Sequence, residues 1–162
     1  MSSQVAIFAA GCFWGVQYYF DQQPGVLRTE VGYIGGRTDN PTYEQVCSHG
    51  TGHAEALKIE FDPAQVSYGT LLHQFFRMHD PTTVNRQGPD IGDQYRSAIF
   101  YTSEEQHKEA VTARNQHQEK INKPVVTQIE RATTFYPAEE YHQKFTEKTG
   151  IGMCHIPYAP VP

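Results

Sequence analysis

The sequence predicts an α+β fold in a single domain, built on a mainly antiparallel sheet with helices on one face and a coil C-terminal tail. Three observations carry this. Short apolar or alternating runs at Val5–Ala9, Val26–Ile34, His53–Phe61 and Ser97–Tyr101 are separated by stretches with helical spacing. Read in order, the first six main elements run β-α-β-β-α-β, the split βαβ or ferredoxin-like order of an α/β plait. The chain of 162 residues is the size of one ordinary domain, and its 13 glycines and 10 prolines are spread without a break that would mark a linker. Residues 1–162 therefore read as one domain, with 150–162 as its tail.

Val5–Ala9 reads as a buried strand. Phe13, Val16, Gln17 and Phe20 follow at helical spacing, so Cys12 stands at a strand-to-helix junction, and Pro24-Gly25 ends that helix. Val26–Ile34 is a strand that stops at Gly35-Gly36, and Asn40–Glu44 is a turn opening a short helix. His53–Phe61 alternates and stops at Asp62-Pro63. Tyr68, Leu71, Leu72, Phe75, Phe76 and His79 share one face of an amphipathic helix. Asp80–Asp93, rich in Pro, Gly, Asp and Asn, is a long loop, and Ser97–Tyr101 is the next strand. Ser103 with Gln106 is a capping-box pattern for a long polar helix reaching about Ile121. Val125–Ile129 is expected as a further strand, and Pro137 as the start of a last short helix. Gly150–Pro162 carries two glycines and three prolines without periodicity, hence the coil tail.

Composition excludes several function classes. With 13 basic and 18 acidic residues the net charge is −5, which disfavours nucleic-acid binding. No apolar run approaches the roughly 18–20 residues that span a bilayer. Met1-Ser2-Ser3-Gln4-Val5 lacks the features of a secretory signal, so a cytoplasmic chain is expected. Three cysteines, Cys12, Cys47 and Cys154, are too few and odd in number for a disulfide scaffold. Cys47-Ser48-His49 with His53, and Met153-Cys154-His155, offer possible metal ligands, but no second pair stands at a usual spacing and no C-x-x-C occurs. Neither a metal nor a cofactor is expected.

The most informative stretch is Gly11-Cys12-Phe13-Trp14-Gly15. A thiol at a helix N-terminus meets the positive end of the macrodipole and unpaired N–H groups, which favour thiolate. The flanking glycines allow a sharp turn and close approach, and two aromatic rings, one of them the chain's single tryptophan, can wall an apolar pocket. Isolated buried cysteines are usually small hydrophobes; it is the crowding of these features on one thiol that points to reactivity. In Glu55-Ala56-Leu57-Lys58-Ile59-Glu60-Phe61, strand parity puts Glu55 on the same face as Leu57, Ile59 and Phe61. Desolvation there would keep the carboxyl protonated near neutral pH; a solvated strand end or an Arg partner is the alternative. Tyr43 and Tyr95, the second just after the long loop, are phenols able to donate to a developing oxyanion, or simply packing residues.

Gly11–Gly15, Tyr43, Gly52-His53-Ala54-Glu55 and Asp90-Ile91-Gly92-Asp93-Gln94-Tyr95-Arg96-Ser97 together resemble the peptide-methionine (S)-S-oxide reductases, the A-type methionine sulfoxide reductases, over about residues 5–145. The resemblance implies a ferredoxin-like plait. It implies Cys12 as nucleophile, Phe13 and Trp14 as the pocket for the S-methyl group, Glu55 as proton donor, Tyr43 and Tyr95 as binders of the sulfoxide oxygen, and Asp90 as an orienting carboxylate. It further implies reduction of the S epimer of methionine sulfoxide, free or in proteins, as repair after oxidative damage, with thioredoxin as electron donor.

On that reading attack by Cys12 leaves a sulfenic acid, which a second thiol must resolve. Cys154, on the glycine-containing tail, is the expected resolver; Cys47, in a short helix between apolar neighbours, is expected to be a buried bystander. A monomer that binds neither membrane nor nucleic acid is expected. Two other classes compete: a thiol hydrolase or acyltransferase with His53 as base to Cys12, and a methionine-binding module without catalysis.

Overall fold

A computed structural model describes residues 3–151. The elements are β1 (Gln4–Ala10), α1 (Phe13–Asp21), β2 (Val26–Ile34), α2 (Tyr43–Cys47), β3 (Ala54–Phe61), α3 (Tyr68–Met78), β4 (Arg86–Gln87), β5 (Asp90–Ile91), β6 (Ser97–Tyr101), α4 (Glu104–Gln118), β7 (Gln128–Arg131), β8 (Tyr136–Pro137) and α5 (Phe145–Thr149). Single 3₁₀ turns cover Asp93–Tyr95 and Glu140–His142.

Six strands form one sheet in the order β7-β6-β1-β3-β2-β8, and β4 pairs with β5 in a separate hairpin. The β6–β7 pair is parallel and the others are antiparallel, so the fold is α+β with a mixed sheet. Strand alternation sorts two cores. On one face Phe8, Val31, Tyr33, Leu57, Ile59, Phe61 and Ile99 pack against Val16 and Phe20 of α1 and Leu71, Leu72 and Phe75 of α3. Phe8 sits centrally, with ring centroids 5.0 Å from Phe75 and 5.8 Å from Phe20. Each large apolar side chain so buried contributes about 1.5–3 kcal/mol. The opposite face, with Ile7, Ala9, Ile34, Ala54, Ala56, Ala98 and Phe100, is extended by Val5 of β1 and covered by Ala132 and Phe135.

Four features differ from expectation. The strand expected at Val125–Ile129 starts at Gln128. The Val125 and Val126 amides donate instead to Gln118 Oε1 and the Pro81 carbonyl, and the parallel ladder begins at Ala98↔Gln128. Pro137 lies in β8, pairing with Gly32, rather than opening a helix. β8 is an edge strand, where the missing N–H of proline is tolerated. The Ser103–Gln106 box is half formed: Ser103 Oγ accepts the Gln106 amide, but Gln106 Oε1 accepts from Thr102 instead of Ser103. The long loop after α3 carries the β4–β5 hairpin, pinned because buried Gln87 bridges back to the Asp80 backbone.

Of the expected tail, Gly150 ends α5 in the left-handed region, at φ 76°. Cys154 lies outside the described residues, as does the rest of 152–162.

Candidate active site

β1 delivers Cys12. The strand ends at Ala10, Gly11 turns the chain at φ 92°, and Cys12 is the N-cap of α1, half-buried, with its side chain not capping the helix. Only glycine takes such a φ without strain. The β1–β3 register pairs Phe8 with Leu57 and, extended by two, brings Glu55 beside Ala10. Pairing of Glu55 with Tyr33 fixes the other side.

Glu55 is 1 % exposed. Its Oε1 accepts the Phe13 amide at 3.2 Å, and Oε2 has no hydrogen-bond partner among the described residues. Burial pushes this carboxyl from 4.5 up to about 8; the Phe13 N–H opposes the rise, and the charge of Asp90 adds to it. Desolvation outweighs the helix terminus, so Glu55 is a carboxylic acid at neutral pH. With Oε1 occupied as an acceptor, Oε2 is the oxygen that carries the proton.

The other expected residues converge here. Burial raises the Tyr95 phenol, and the charges of Glu55, Cys47, Asp90 and Cys12 raise it further. Tyr95 comes from the 3₁₀ turn after the hairpin that bears Asp90. Gly92 permits this turn: its φ is 145°, and a Cβ there would collide with the side chains of Gln94 and His49. Burial and the charge of Glu55 likewise raise Tyr43, which hydrogen-bonds the Cys47 thiol. Both phenols therefore stay protonated and able to donate.

The aromatic wall is wider than Phe13 and Trp14. Phe13 is fully buried and stacks with Tyr43 at 6.3 Å. Trp14 is half-buried and stacks on Phe145 at 3.9 Å. Its indole Nε1–H donates to His142 Nδ1 at 2.8 Å. Glu139 Oε2 accepts the Tyr43 amide and its Oε1 the Tyr33 hydroxyl, which anchors the start of α2. Sequence reasoning did not single out Glu139, His142, Phe145 or Gln94; His142 meets three aromatic rings far earlier in the chain, Phe13, Trp14 and Tyr43, at no readable spacing.

Cys47 corrects its expected surroundings. It is half-buried and hydrogen-bonded to Tyr43 and Gln94, not enclosed by apolar neighbours, and burial raises its thiol above the usual range. His53 is 2 % exposed, with Nδ1 accepting from the Gly36 amide and Nε2 paired with the Thr38 carbonyl. Both ring nitrogens are committed to the backbone, so His53 is a structural pin and not a base for Cys12. Among the described residues no three His, Cys, Asp or Glu side chains gather as a metal site. A groove of about 740 Å³ lies between the ends of α3 and α4, lined by Phe76, Arg77, His117 and Lys123 among others, and none of the candidate residues faces it.

Thiol, protonated acid, two phenols and an aromatic wall suit attack on a polarised, oxygen-bearing centre that carries a small apolar group. Known proteins resemble the chain in the same sense. A family model described as peptide methionine sulfoxide reductase matches residues 4–161. A peptide methionine sulfoxide reductase MsrA of Methanothermobacter thermautotrophicus is 52% identical over 153 residues, covering 93% of this chain and 90% of that protein. The crystal structure of Mxr1 from Saccharomyces cerevisiae in reduced form superposes with a TM-score of 0.87 at 37% identity, over 93% of this chain and 87% of that one. Mxr1 crystallised in complex with Trx2 superposes at 0.63, with 25% identity over 88% and 84% of the two chains.

Proposed function

Because this chain belongs to the peptide methionine sulfoxide reductase family, we infer that it is an oxidoreductase that reduces methionine sulfoxide to methionine and is recycled by thioredoxin. The complex of the relative Mxr1 with Trx2 supports the recycling partner. The observation that carries the residue roles is Glu55, a buried carboxyl still protonated at pH 7 and tied to the amide next to Cys12.

We propose these roles. Cys12 attacks the sulfoxide sulfur while Glu55 Oε2 gives its proton to the oxygen, with Tyr43 and Tyr95 donating to the same atom. Asp90 orients this end of the site. Phe13 and Trp14 receive the S-methyl group, and a chiral sulfur in one such pocket selects one epimer, S. The S–O bond breaks as oxygen passes to Cys12; methionine leaves and Cys12 becomes a sulfenic acid, oxidised by two electrons. The Cys154 thiol then attacks that sulfur, water leaves, and a Cys12–Cys154 disulfide forms. A thioredoxin dithiol reduces it by exchange. Protein repair after oxidative damage is the setting in which this reaction serves, on peptide or free sulfoxide.

We further read the chain as one catalytic domain acting as a cytoplasmic monomer, and its four central strands, in the order β6-β1-β3-β2, as a ferredoxin-like plait. No helix among the described residues is long and apolar enough to cross a membrane.

The test is mass measurement after sulfoxide is added without reductant. A loss of two hydrogens located to Cys12 and Cys154 is expected. Cys154→Ser should release one methionine per chain and then fail to cycle with thioredoxin; normal cycling overturns the role of Cys154. Absence of methionine from the wild-type chain overturns the reductase reading.

A further inference from the structure

The chain carries a net charge of −5, yet one concave face of it is basic. The groove of about 740 Å³ lies where α3 and α4 end, with Arg77 in the last turn of one helix and His117 in the last turn of the other. A second hollow of about 270 Å³ shares Phe76, Arg77 and His117 with it and adds His73 and Lys120, so the two are continuous along the helix pair.

A cation in the last turn of a helix is what the helix dipole favours. Lys120 and Lys123 stand beyond that turn, both exposed, and neither forms a salt bridge among the described residues. Asp80 is the one acid on the groove lining, and its Oδ1 is already taken by the amide and hydroxyl of Thr82. Burial, then Lys120 and His73, push the His117 imidazole below its usual range. The floor is apolar: Phe76 is 4 % exposed and stacks on the His117 ring at 5.2 Å, and Pro81 and half-buried Ile121 line the same hollow. An apolar hollow rimmed by cations without counterions suits an anionic segment that carries an apolar side chain. Residues 152–162 contain no Asp or Glu, so the chain's own tail does not complement it.

The groove is also tied to the strand that delivers the thiol. His79, on its lining, pairs through Nε2 with Ser97 Oγ at 2.7 Å. Ser97 pairs with Ala10 across β6 and β1, and Cys12 follows two residues on. Groove and thiol therefore lie at the same end of the sheet. Two residues of chain, one strand spacing and one hydrogen-bonded side-chain pair make a path of about 22 Å, which roughly six or seven extended residues span. A sulfoxide inside a protein brings flanking chain of that length with it; a free amino acid does not.

Building on the reductase reading, we propose that the groove between α3 and α4 is a second docking site for oxidised protein substrates, in which Lys120 and Lys123 meet the carboxylates of an acidic segment and Phe76 and Ile121 its apolar side chain, while the sulfoxide residue reaches Cys12. The site gives affinity for one class of flanking sequence and leaves the chemistry unchanged.

The probes are synthetic peptides with one methionine sulfoxide and a Glu-Leu-Glu segment about six residues away, on its N-terminal side in one and its C-terminal side in the other. Matched peptides carry Gln-Leu-Gln. With the full-length wild-type protein at low salt, one placement should show a half-saturating concentration about fivefold lower for the Glu peptide, the scale of two exposed ionic contacts. The advantage should shrink between about 50 and 300 mM salt. Lys120→Gln/Lys123→Gln, both changes at exposed positions, should abolish it while free methionine sulfoxide keeps its half-saturating concentration and maximal rate within about twofold.

Equal values for Glu and Gln peptides in both placements, or an advantage that survives in the double variant, overturn the proposal. So does a double variant that is slowed only in recycling by thioredoxin, which would make the reductant the occupant. Fluorescence anisotropy of a labelled Glu-Leu-Glu peptide without methionine reads the groove alone: wild type should bind it more tightly than the double variant, and equal binding overturns the proposal. No reduction of any sulfoxide by the wild-type protein would sink the reductase reading instead, with the anisotropy difference left intact.

Discussion

The backbone N–H of Phe13 donates to Glu55 Oε1 across 42 positions of sequence, at 3.2 Å. This one bond ties the first turn of α1, and so Cys12, to the acid on β3. It also decides which carboxyl oxygen is left with the proton. Glu55→Gln keeps an acceptor for Phe13 and removes the acid. We expect single-turnover sulfoxide reduction to fall roughly 10²–10⁴-fold with near-ultraviolet circular dichroism unchanged. A rate within about threefold of wild type would show that Glu55 is not the proton donor.

The pH profile carries the same assignment. With Glu55 at about 8, the single-turnover rate of the wild-type protein should decline as pH rises through that value. Stopped-flow rates from pH 6 to 10 check this, and the limb should be missing from Glu55→Gln.

Stability should respond in parallel. The Glu55 pKa is raised on folding, from 4.5 to about 8, so the unfolded chain releases this proton first. The contribution of the protonated form is complete below about 4.5 and is lost as pH rises toward about 8, at up to about 1.4 kcal/mol per pH unit. Urea unfolding of wild type and Glu55→Gln should therefore show a gap that widens in favour of the variant across that window and levels off above it.

The charge of Glu55 acts on both Tyr43 and Tyr95, and Tyr43 also hydrogen-bonds Cys47. Each Tyr→Phe change should slow single turnover by about tenfold. The double change should slow it by more than the product, because either phenol can donate when the other is lost. Cys47→Ala should leave the rate within about threefold, measured in the same assay.

His53 should matter for folding alone. His53→Ala removes two buried hydrogen bonds to the Gly36 and Thr38 backbone and should lower stability by about 2–4 kcal/mol in urea titration. At 10 °C, where the variant stays folded, the single-turnover rate should match wild type within about twofold.

Local pattern was enough for much of this. Val26–Ile34 and Ser97–Tyr101 are bounded by glycine pairs and polar turns, and both strands have those limits. Parity alone placed Glu55 with Leu57, Ile59 and Phe61, because a strand offers only two faces. The limits were set by partners far away in sequence. Val125–Thr127 is as apolar and β-branched as a strand, but its amides are taken by Gln118 and Pro81 before the ladder begins. Pro137 is read differently once an edge position is known. Cys47 has apolar Val46 beside it, yet its thiol faces Tyr43 and Gln94, contacts of helix geometry and of a loop 47 residues on. The Trp14–His142 bond spans 128 residues and has no periodicity to betray it.

That span has a consequence for the newly made chain. Cys12, just past β1, and Glu55 on β3 lie within the first 61 residues, whereas His142 emerges from the ribosome 87 residues after Glu55. At about 5–20 residues per second the interval is roughly 4–17 s. Until then Trp14 lacks both the ring that stacks on it and the acceptor for its N–H. The wall behind Trp14 is thus completed from the C-terminal side, where Phe145 opens α5.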